Sequence, residues 1–466
     1  MAQGRLGIGG MVAACVLPLL GAAAVRPGSP FCDNMVLQRG CPVPVWGAAD
    51  PGERVTVSFA GQTRVATADA KGRWRVDLAP LEASKVPREM VIGPQTIRNV
   101  LVGEVWLAAG QSNMELPLWS EMPRYRDAKG AMVAQMTHLP NVRVGNIPIT
   151  WKGSPEPRQF ARSEFRWMEA EPENMRPIRK FSAIGFWFAR ELYLALDVPV
   201  AVLAVYQGGT KIEQWTGELF NEYLAPVAPY AVRGFLWYQG ESNGAKGYCE
   251  KMHGLYGAVT NAFEHAGLPM YFVQIPGGFD RALEQARFVR EEPHAEMAVV
   301  NDVTNPHDVH PARKEIVAQR LVLHALARDY GFKGIVHRSP SAVAATASGD
   351  AVTVSFADAK ELYIYNDDWS MSNRFEVAGA NGKYAPAEIL NMETTTNKAG
   401  VVQAKINGGI ARDAKLVLRA SGVASPRKVR YLHDGRQLGN IFSEVNLPLQ
   451  PFEIEARPAS DAGSAE

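Results

Sequence analysis

The sequence predicts an α/β protein in which a doubly wound parallel sheet in the middle of the chain is flanked by two β domains. Three observations predict it. Short strand-like runs broken by turns occupy residues 27–99, near-continuous apolar runs alternate with helical patterns over residues 100–334, and short strands return over residues 335–457. Parallel strands covered on both faces are apolar throughout, whereas half-exposed strands alternate apolar and polar residues.

The N-terminal region has the composition of a small β-sandwich. Turn signals such as Asp50-Pro51-Gly52 and Lys71-Gly72 separate its runs. Short strands at close spacing with turns between them are typical of that architecture, and we expect it to act as a scaffold. The predicted strands are Met35–Gln38, Val43–Trp46, Arg54–Phe59, Thr63–Thr67 and Arg73–Leu78.

The central region alternates strands with helices, which predicts a parallel sheet with its site at the carboxyl ends of the strands. The predicted strands are Glu104–Ala109, Val142–Ile147, Val198–Val205, Arg233–Tyr238, Met270–Ile275 and Met297–Val303. The predicted helices are Ser182–Leu196, Leu255–Ala266 and Ala312–Asp329, the last opening beside Pro311, a residue that suits a first helical turn.

The C-terminal region predicts a second β-sandwich over residues 335–457, followed by a disordered tail at 458–466 of small and polar residues. Its strand-like runs are Val352–Phe356, Glu361–Tyr365, Lys415–Leu418 and Lys428–Leu432.

The charge balance argues against a nucleic-acid partner. The chain of 466 residues carries 49 basic and 48 acidic residues, a net charge of +1, without a long basic run. After the N-terminal segment, no apolar run approaches the roughly 18 residues that a transmembrane helix needs, so we predict no membrane span. The oligomeric state is not predicted by any pattern in the sequence.

Residues 1–24 are predicted to be a signal peptide. Arg5 supplies a positive charge, Leu6–Leu20 is apolar, and Gly21–Ala24 offers small residues for cleavage. The sequence Val12–Cys15 also faintly resembles a lipoprotein cleavage box, although the apolar stretch continues past it. We therefore expect a secreted or periplasmic protein.

Four cysteines occur, and Cys15 lies in the predicted signal peptide. Cys32 and Cys41 either form a disulfide in an oxidising compartment or remain two buried thiols, and Cys249 has no evident partner. Because the chain contains no Cys-x-x-Cys or His-x-x-x-His cluster, we predict no structural zinc site. The catalytic groups that the strand ends of the central region supply require no metal or organic cofactor.

A serine follows the first strand of the central region, in the segment Gly110-Gln111-Ser112-Asn113-Met114. Gly110 permits a sharp turn, so that Ser112 can present its Oγ as a nucleophile and its N–H as a donor for an oxyanion. The alternative is a serine that only caps the following helix.

Two further strand ends carry hydrogen-bond donors for the same site. Gly208 and Gly209 follow one strand and can direct a backbone N–H into a hollow, although such a pair is often only a turn. Asn243 follows the next strand, and its side-chain amide can donate to a developing negative charge or simply close a turn.

The segment His307-Asp308-Val309-His310-Pro311 opens the last helix of the central region. Residues two apart in an extended segment point the same way, so Asp308 is placed to orient His310, and His310 to act as general base to Ser112. The alternatives are an Asp that caps the helix and a surface histidine. His307 competes with His310 as the base, and Asp302 with Asp308 as the acid.

Together these segments resemble the sialate O-acetylesterase group of the SGNH hydrolase superfamily. The resemblance rests on Gly110–Met114, Gly208–Thr210, Gln239–Asn243 and Asp308–His310. It extends over nearly the whole mature chain, because the flanking segments Asp33–Arg39, Val429–Tyr431 and Pro451–Phe452 resemble the β domains of that group.

The resemblance implies a flavodoxin-like α/β/α core, the triad Ser112, His310 and Asp308, and an oxyanion hole of Ser112, Gly208 or Gly209, and Asn243. It also implies hydrolysis of acetyl esters on sugars. We expect Gln111, Gln239 and Glu241, which belong to the same sequence blocks, to contact the substrate. Two departures stand out: His307 occupies the position where the superfamily places its Asp, and Tyr206-Gln207 replaces the Ser-Trp common in relatives.

The leading hypothesis is therefore a secreted serine esterase that removes acetyl groups from carbohydrates, sialic acid among them. The alternatives are a non-catalytic glycan-binding protein and a broad-specificity carboxylesterase or lipase. The sequence does not choose among acetylated glycans, and we expect specificity to reside in the loops Pro117–Asn141, Gly153–Arg179 and Gly277–Glu292.

Overall fold

The structure is a computed structural model. It describes residues 25–118, 138–162, 164–174, 181–303, 309–311, 313–365, 374–391, 393–394, 408–434 and 438–459. The predicted signal peptide, His307, Asp308 and most of the loop Pro117–Asn141 lie outside these ranges, so the predictions made for them stay predictions.

From residue 25 onward, seven strands precede the long strand that enters the core, and the five that the sequence predicted are confirmed. They are β1 (Arg26–Pro27), β2 (Val36–Gln38), β3 (Val43–Ala48), β4 (Arg54–Phe59), β5 (Gln62–Thr67), β6 (Arg73–Leu78) and β7 (Ser84–Ile92). Strands β1, β3 and β6 form one small sheet, whereas β2, β4, β5 and β7 join the sheet that runs through the centre of the molecule.

Strand β8 (Gln95–Gly110) belongs to both the N-terminal and the central parts of that sheet. Its first half pairs with β7 and with β2, and the pairing with β2 ends at Gly103. Its second half, from Glu104 to Gly110, lies between two parallel strands of the core. The boundary that we predicted between residues 99 and 100 therefore lies within a single strand, and the domain assignment stays a prediction.

The central sheet continues with β9 (Leu139–Asn146), β10 (Arg166–Ala170), β11 (Val200–Tyr206), β12 (Gly234–Tyr238), β13 (Met270–Val273) and β14 (Ala295–Ala298). Its order is β10-β9-β11-β8-β12-β13-β14, and only β10 is antiparallel to its neighbour. Without the edge pair β9 and β10, the order is the 2-1-3-4-5 of flavodoxin-like folds. The predicted parallel sheet is confirmed.

In the described ranges, five α-helices accompany this sheet: α1 (Ser112–Glu115), α2 (Ala183–Leu196), α3 (Tyr248–Ala262), α4 (Phe279–Glu291) and α5 (Lys314–Arg328). Side chains of α2 and α5 fill the buried cluster on one face of the sheet, and those of α3 and α4 contribute to the cluster on the other. Ser182 begins α2 by accepting a hydrogen bond from Gly185 N at 3.1 Å.

Helix α4 corrects one expectation, since residues 277–292 were predicted to be a specificity loop. Its inward face carries only Ala282, Gln285 and Phe288, while most of the remaining positions are charged. A single large apolar residue in that stripe left too little helical periodicity in the sequence to be recognised.

The C-terminal strands form a sheet of eight and a sheet of four that share one buried cluster. All four runs predicted there are strands, and the sandwich arrangement itself stays a prediction. Asn301, just beyond β14, joins this part to the core: its Nδ2 donates to Leu449 O at 2.9 Å, and its O accepts from Gly439 N at 3.0 Å. The strands are β15 (Ser341–Ser348), β16 (Ala351–Ala357), β17 (Leu362–Tyr365), β18 (Phe375–Ala378), β19 (Tyr384–Ile389), β20 (Glu393–Thr394), β21 (Gly408–Ala411), β22 (Lys415–Ala420), β23 (Lys428–Tyr431), β24 (Ile441–Ser443), β25 (Phe452–Glu455) and β26 (Arg457–Pro458).

Candidate active site

Three neighbouring parallel strands end at the same edge of the central sheet. At the end of β8, Gly110 O accepts from Gln207 N at 3.1 Å, and Gln111 N donates to Tyr238 O at 3.0 Å. Gly110 has a φ of +148°, and a Cβ at this position would lie 2.2 Å from Tyr238 O. A glycine is therefore required where the chain turns from β8 towards the serine.

Ser112 and His310 face each other at this edge. Ser112 begins α1, directly after the turn, and the Nε2 atom of His310 lies 2.9 Å from its Oγ. This is the separation of a nucleophile and its general base, and both residues are only half-buried, so a substrate can reach them. The structure thus brings together two residues that are 198 positions apart in the chain.

Asp302, the reserve candidate for the acid, is engaged elsewhere. Arg320 of α5 binds its two carboxylate oxygens at 2.6 and 2.8 Å, and the same guanidinium donates to Val299 O at 2.7 Å. The carboxylate thus forms a nearly buried ion pair that fixes the end of β14 against α5. Asp308 lies outside the described residues, and its role stays a prediction.

The two glycines after β11 are not equivalent. The N–H of Gly208 donates to the Oε2 atom of Glu115 at 2.8 Å. Gly209 has a φ of +71°, and no atom within 4 Å occupies the space where its Cβ would be. Within the described part of the chain, the structure records no hydrogen bond from the Gly209 N–H, which leaves it the better placed of the two to donate to a substrate.

The side chain of Asn243 is held firmly beside these glycines. Its Oδ1 accepts from Ile212 N at 3.0 Å and from Gln239 Nε2 at 2.7 Å, and its Nδ2 donates one hydrogen to Glu213 Oε2 at 2.9 Å. The second hydrogen of that amide is the one an oxyanion would use. Burial raises the pKa of Glu213, but hydrogen bonds from Lys251 and Asn243 outweigh it and hold the pKa at about 2.

A buried polar network, which the sequence analysis missed, lies behind the serine. Asn113 is 1% exposed; its Nδ2 donates to Glu241 Oε1 and to Val309 O, the latter at 2.9 Å, and its Oδ1 accepts from Lys314 Nζ. The Lys314 ammonium also lies 5.3 Å from the centre of the Tyr238 ring. Asn113 belongs to the sequence block of the serine, but nothing in the sequence predicts that it contacts a lysine 201 residues away.

Glu241 is the acidic member of this network, and burial raises its pKa. The hydrogen bond from Asn113 and the nearby charges of Arg281 and Lys314 oppose that effect. In the described part of the chain its Oε2 has no hydrogen-bond partner. The network therefore joins three separate segments: the serine turn, the loop after β12 and the residue before His310.

The three residues predicted to contact substrate lie in the floor of the site. Gln111 is 3% exposed and accepts from Gly240 N, and Gln239 is wholly buried. Gln239 donates to Thr210 O at 2.9 Å and accepts from Tyr248 OH at 2.8 Å. These contacts hold the loops after β11 and β12 together, and binding of substrate by Gln111, Gln239 or Glu241 stays a prediction.

Cys32 and Cys41 are free thiols, so the pair does not form a disulfide, although both are half-buried rather than buried. Burial is the main cause that raises the pKa of Cys32, to about 12, and its Sγ donates to Phe165 O at 3.6 Å. None of the helices in the described ranges is long and apolar enough to cross a membrane.

Comparison with known proteins gives matches to acetylesterases. Residues 102–317 match the family model of carbohydrate esterases described as sialic acid-specific acetylesterases. A sialate O-acetylesterase from Homo sapiens is 26% identical over 416 residues, covering 71% of this chain and 77% of that protein. A solved carbohydrate acetylesterase from Xanthomonas citri superposes with a TM-score of 0.79 at 27% identity, covering 92% of this chain and 99% of that one.

Residues 102–317 thus form a carbohydrate esterase domain of the sialic acid-specific acetylesterase family. The chain is therefore an esterase, as the sequence blocks indicated, and the enzyme hypothesis displaces the non-catalytic alternative. A second curated relative, the sialate O-acetylesterase of Mus musculus, is 21% identical over 470 residues. The family match includes both Ser112 and His310.

Proposed function

We propose that this esterase removes O-acetyl groups from carbohydrates, sialic acid among them, through an acetyl-enzyme formed on Ser112. The contact that carries the proposal is the 2.9 Å separation of His310 Nε2 and Ser112 Oγ. A histidine at this distance takes the hydroxyl proton as the oxygen attacks the acetyl carbonyl carbon. Asp308 is proposed to orient the imidazole and to stabilise its protonated form.

The oxyanion that forms on the acetyl oxygen is held by three donors in this proposal: the N–H groups of Ser112 and Gly209 and the Nδ2 of Asn243. The anchoring of Asn243 by Ile212 and Gln239 supports its part, because a donor that is already fixed costs no reorganisation during the reaction. Gly208 takes the place of Gly209 only if Glu115 releases its N–H.

Collapse of the tetrahedral intermediate transfers the proton from His310 to the sugar oxygen and leaves acetyl-Ser112. Water then gives a proton to His310 and attacks the acetyl carbon; the proton returns to Ser112 Oγ, and acetate leaves. Every step uses side chains and backbone groups of this chain.

Substrate class is tested by measuring acetate release from a panel of acetylated sugars, with O-acetylated sialic acid beside acetylated xylan and pectin oligosaccharides. The control is Ser112→Ala, which should lower turnover by about 10⁶-fold, the scale seen when a serine nucleophile is removed, while thermal unfolding is unchanged. Full activity of purified Ser112→Ala would overturn the nucleophile. Activity on aryl acetates alone would point to a broad carboxylesterase instead.

The surroundings of the catalytic core are also part of the proposal. We infer that residues 1–24 direct secretion, that the N-terminal and C-terminal sheets form β-sandwich domains, and that these support the core without taking part in the chemistry. A glycan-binding role of either sheet would appear as weaker binding of polymeric substrate, at unchanged hydrolysis of small acetyl esters, after substitution of exposed residues on it.

A further inference from the structure

Helices α3 and α4 bring three side chains of metal-ligand type together, away from the serine. Cys249 and His253 are four residues apart on α3 and so lie on one face of it, and Glu291 is in the last turn of α4. Their ligand atoms all lie within 4.8 Å of one another. None of the three takes part in the proposed esterase chemistry.

The separations are close to those of a tetrahedral site. Glu291 Oε2 lies 3.4 Å from Cys249 Sγ and 3.1 Å from His253 Nε2. Bond lengths to tetrahedral zinc place a thiolate sulfur about 3.5 Å, and an imidazole nitrogen about 3.3 Å, from a carboxylate oxygen bound to the same ion. Two of the three separations therefore match those of a tetrahedral site, and the third, between Cys249 and His253, is within 4.8 Å.

The protonation chemistry also fits. Without an ion, Cys249 Sγ–H and His253 Nε2–H both point to one oxygen, Glu291 Oε2, so a divalent ion can take the place of two hydrogen atoms in one small space. The thiol then loses its proton to solvent, and the imidazole keeps one proton, on Nδ1. A thiol that coordinates a metal ion is deprotonated outright.

The local charge favours a cation. Arg287 is the guanidinium at this place, and it pairs with Glu250, Glu284 and Glu291. Three carboxylates against one guanidinium leave an excess of two negative charges, which a divalent ion neutralises. The His253 and Glu291 side chains are 37% and 44% exposed, so the ion has a path from solvent.

A second cluster of possible metal ligands does not have this excess of negative charge. Glu296, His324 and His337 also lie within ligand distance of one another. However, the carboxylate of Glu296 is held by two guanidinium groups, those of Arg328 and Arg338, at 2.7 and 2.5 Å. A cation there would meet two positive charges, so this cluster carries no metal proposal.

We propose that Cys249, His253 and Glu291 bind one divalent transition-metal ion, with Zn²⁺ as the ion that this donor set suits and solvent as the fourth ligand. The ion joins α3 to α4. Both helices support the loop of Asn243: Tyr248 OH donates to Gln239 O at 2.9 Å, and Arg281 NH1 donates to Asn243 O at 2.9 Å. The site therefore stabilises the loop that carries a proposed oxyanion donor, without touching substrate.

The experiment is calorimetric titration of the chelator-treated full chain with ZnCl₂, together with elemental analysis. We expect one Zn²⁺ per chain and a higher melting temperature with zinc. We also expect a binding enthalpy that varies with the buffer, because the buffer takes up the released proton. His253→Asn and Glu291→Gln should each weaken binding by at least about 100-fold, since even outer-shell changes cost 10–100-fold. Glu250→Gln is the matched control, because it also removes an Arg287 contact and one negative charge but no ligand, and it should weaken zinc binding far less than either ligand variant does.

Cobalt tests the thiolate directly. Co²⁺ bound by the intact chain should give a sulfur-to-metal charge-transfer band in the near ultraviolet, which Cys249→Ser should lose and Cys41→Ser should keep. The proposal is overturned if zinc binds at well below one equivalent, or if His253→Asn and Glu291→Gln bind it as tightly as Glu250→Gln does. Both outcomes leave the esterase assignment unaffected, since Ser112 and His310 are intact throughout.

Discussion

Asn113 donates a hydrogen bond to the backbone carbonyl of Val309, at 2.9 Å. The residue after the nucleophile is thereby tied to the residue before the general base. This bond holds the histidine segment to the serine turn beside the contact between His310 and Ser112 themselves. The position of His310 relative to Ser112 consequently depends on a wholly buried amide.

Asn113→Ala should lower kcat with little change in KM. Loss of the amide leaves the carbonyl of Val309 free to move, and misplacement of a catalytic group by about 1 Å costs roughly 10²-fold. The variant should also lose about 1–3 kcal/mol of stability, since Glu241 and Lys314 lose a buried partner. Steady-state kinetics beside urea unfolding measure both. Asn440→Ala, a buried asparagine of the C-terminal region, is the control, and equal kcat losses in the two would refute the positioning role.

Asn243→Ala should cost about 2.7–4 kcal/mol of transition-state stabilisation, the scale for loss of one oxyanion donor. The loss should appear in kcat. Glu213→Gln retains an oxygen that can accept from Asn243 Nδ2 and should have a smaller effect. The measurement is kcat and KM of both variants with one acetyl ester. An effect of Asn243→Ala on KM alone would show that this amide binds sugar instead.

Asp302→Asn and Asp308→Asn should act differently. Asp302 forms an ion pair with Arg320 in which the side chains are 12% and 8% exposed, so breaking it should lower stability by about 3–5 kcal/mol at nearly unchanged kcat of the folded enzyme. Asp308→Asn should instead lower kcat by roughly 10⁴-fold if Asp308 orients His310. Measurement of kcat and melting temperature for both separates these outcomes, and the reverse pattern would move the acid to Asp302.

His324 should make the protein less stable in mild acid. Burial lowers its pKa to about 3, although Glu296 opposes this, and its Nδ1 lies 3.0 Å from that of His337. The unfolded chain binds this proton below pH ~6.5 and the folded chain only near pH 3, so stability falls as the pH decreases between them, by up to about 1.4 kcal/mol per pH unit.

The variant His324→Gln should therefore lose less stability than the parent chain when the pH is lowered from 7 to 4. Urea unfolding at several pH values measures the slope. The exposed His294 serves as control, and His294→Gln should behave like the parent. An unchanged slope in His324→Gln would show that other groups determine the acid response.

The sequence predicted the position of those site residues that directly follow a strand or precede a helix. Ser112, Gly209, Asn243 and His310 all follow β strands or begin a helix, so strand prediction alone placed them at one edge of the sheet. Helix α4 was missed because its buried stripe has only one large apolar residue. The continuity of strand β8 was missed because its residues change from mostly polar to mostly apolar near Val100, as at a boundary between two elements.

Contacts between side chains of distant segments could not be predicted from the sequence. Glu115 was visible three residues after Ser112, but its bond to Gly208 depends on how α1 lies against the end of β11. The bond of Lys314 to Asn113 and the approach of Glu291 to Cys249 likewise depend on packing between helices and turns. Such contacts follow from tertiary geometry, which no spacing rule within one segment contains.

Because β8 belongs to the N-terminal and central parts of one sheet, the N-terminal strands are not a module that can be removed or exchanged. Deletion of β2 to β7 would leave the backbone of residues 95–103 without its pairing partners, directly upstream of the segment that ends at the serine turn. Local opening of those strands and loss of the serine's geometry are then parts of one cooperative event. A truncated enzyme that begins at the catalytic core would have an exposed strand edge, prone to aggregation, where the full chain has a paired one.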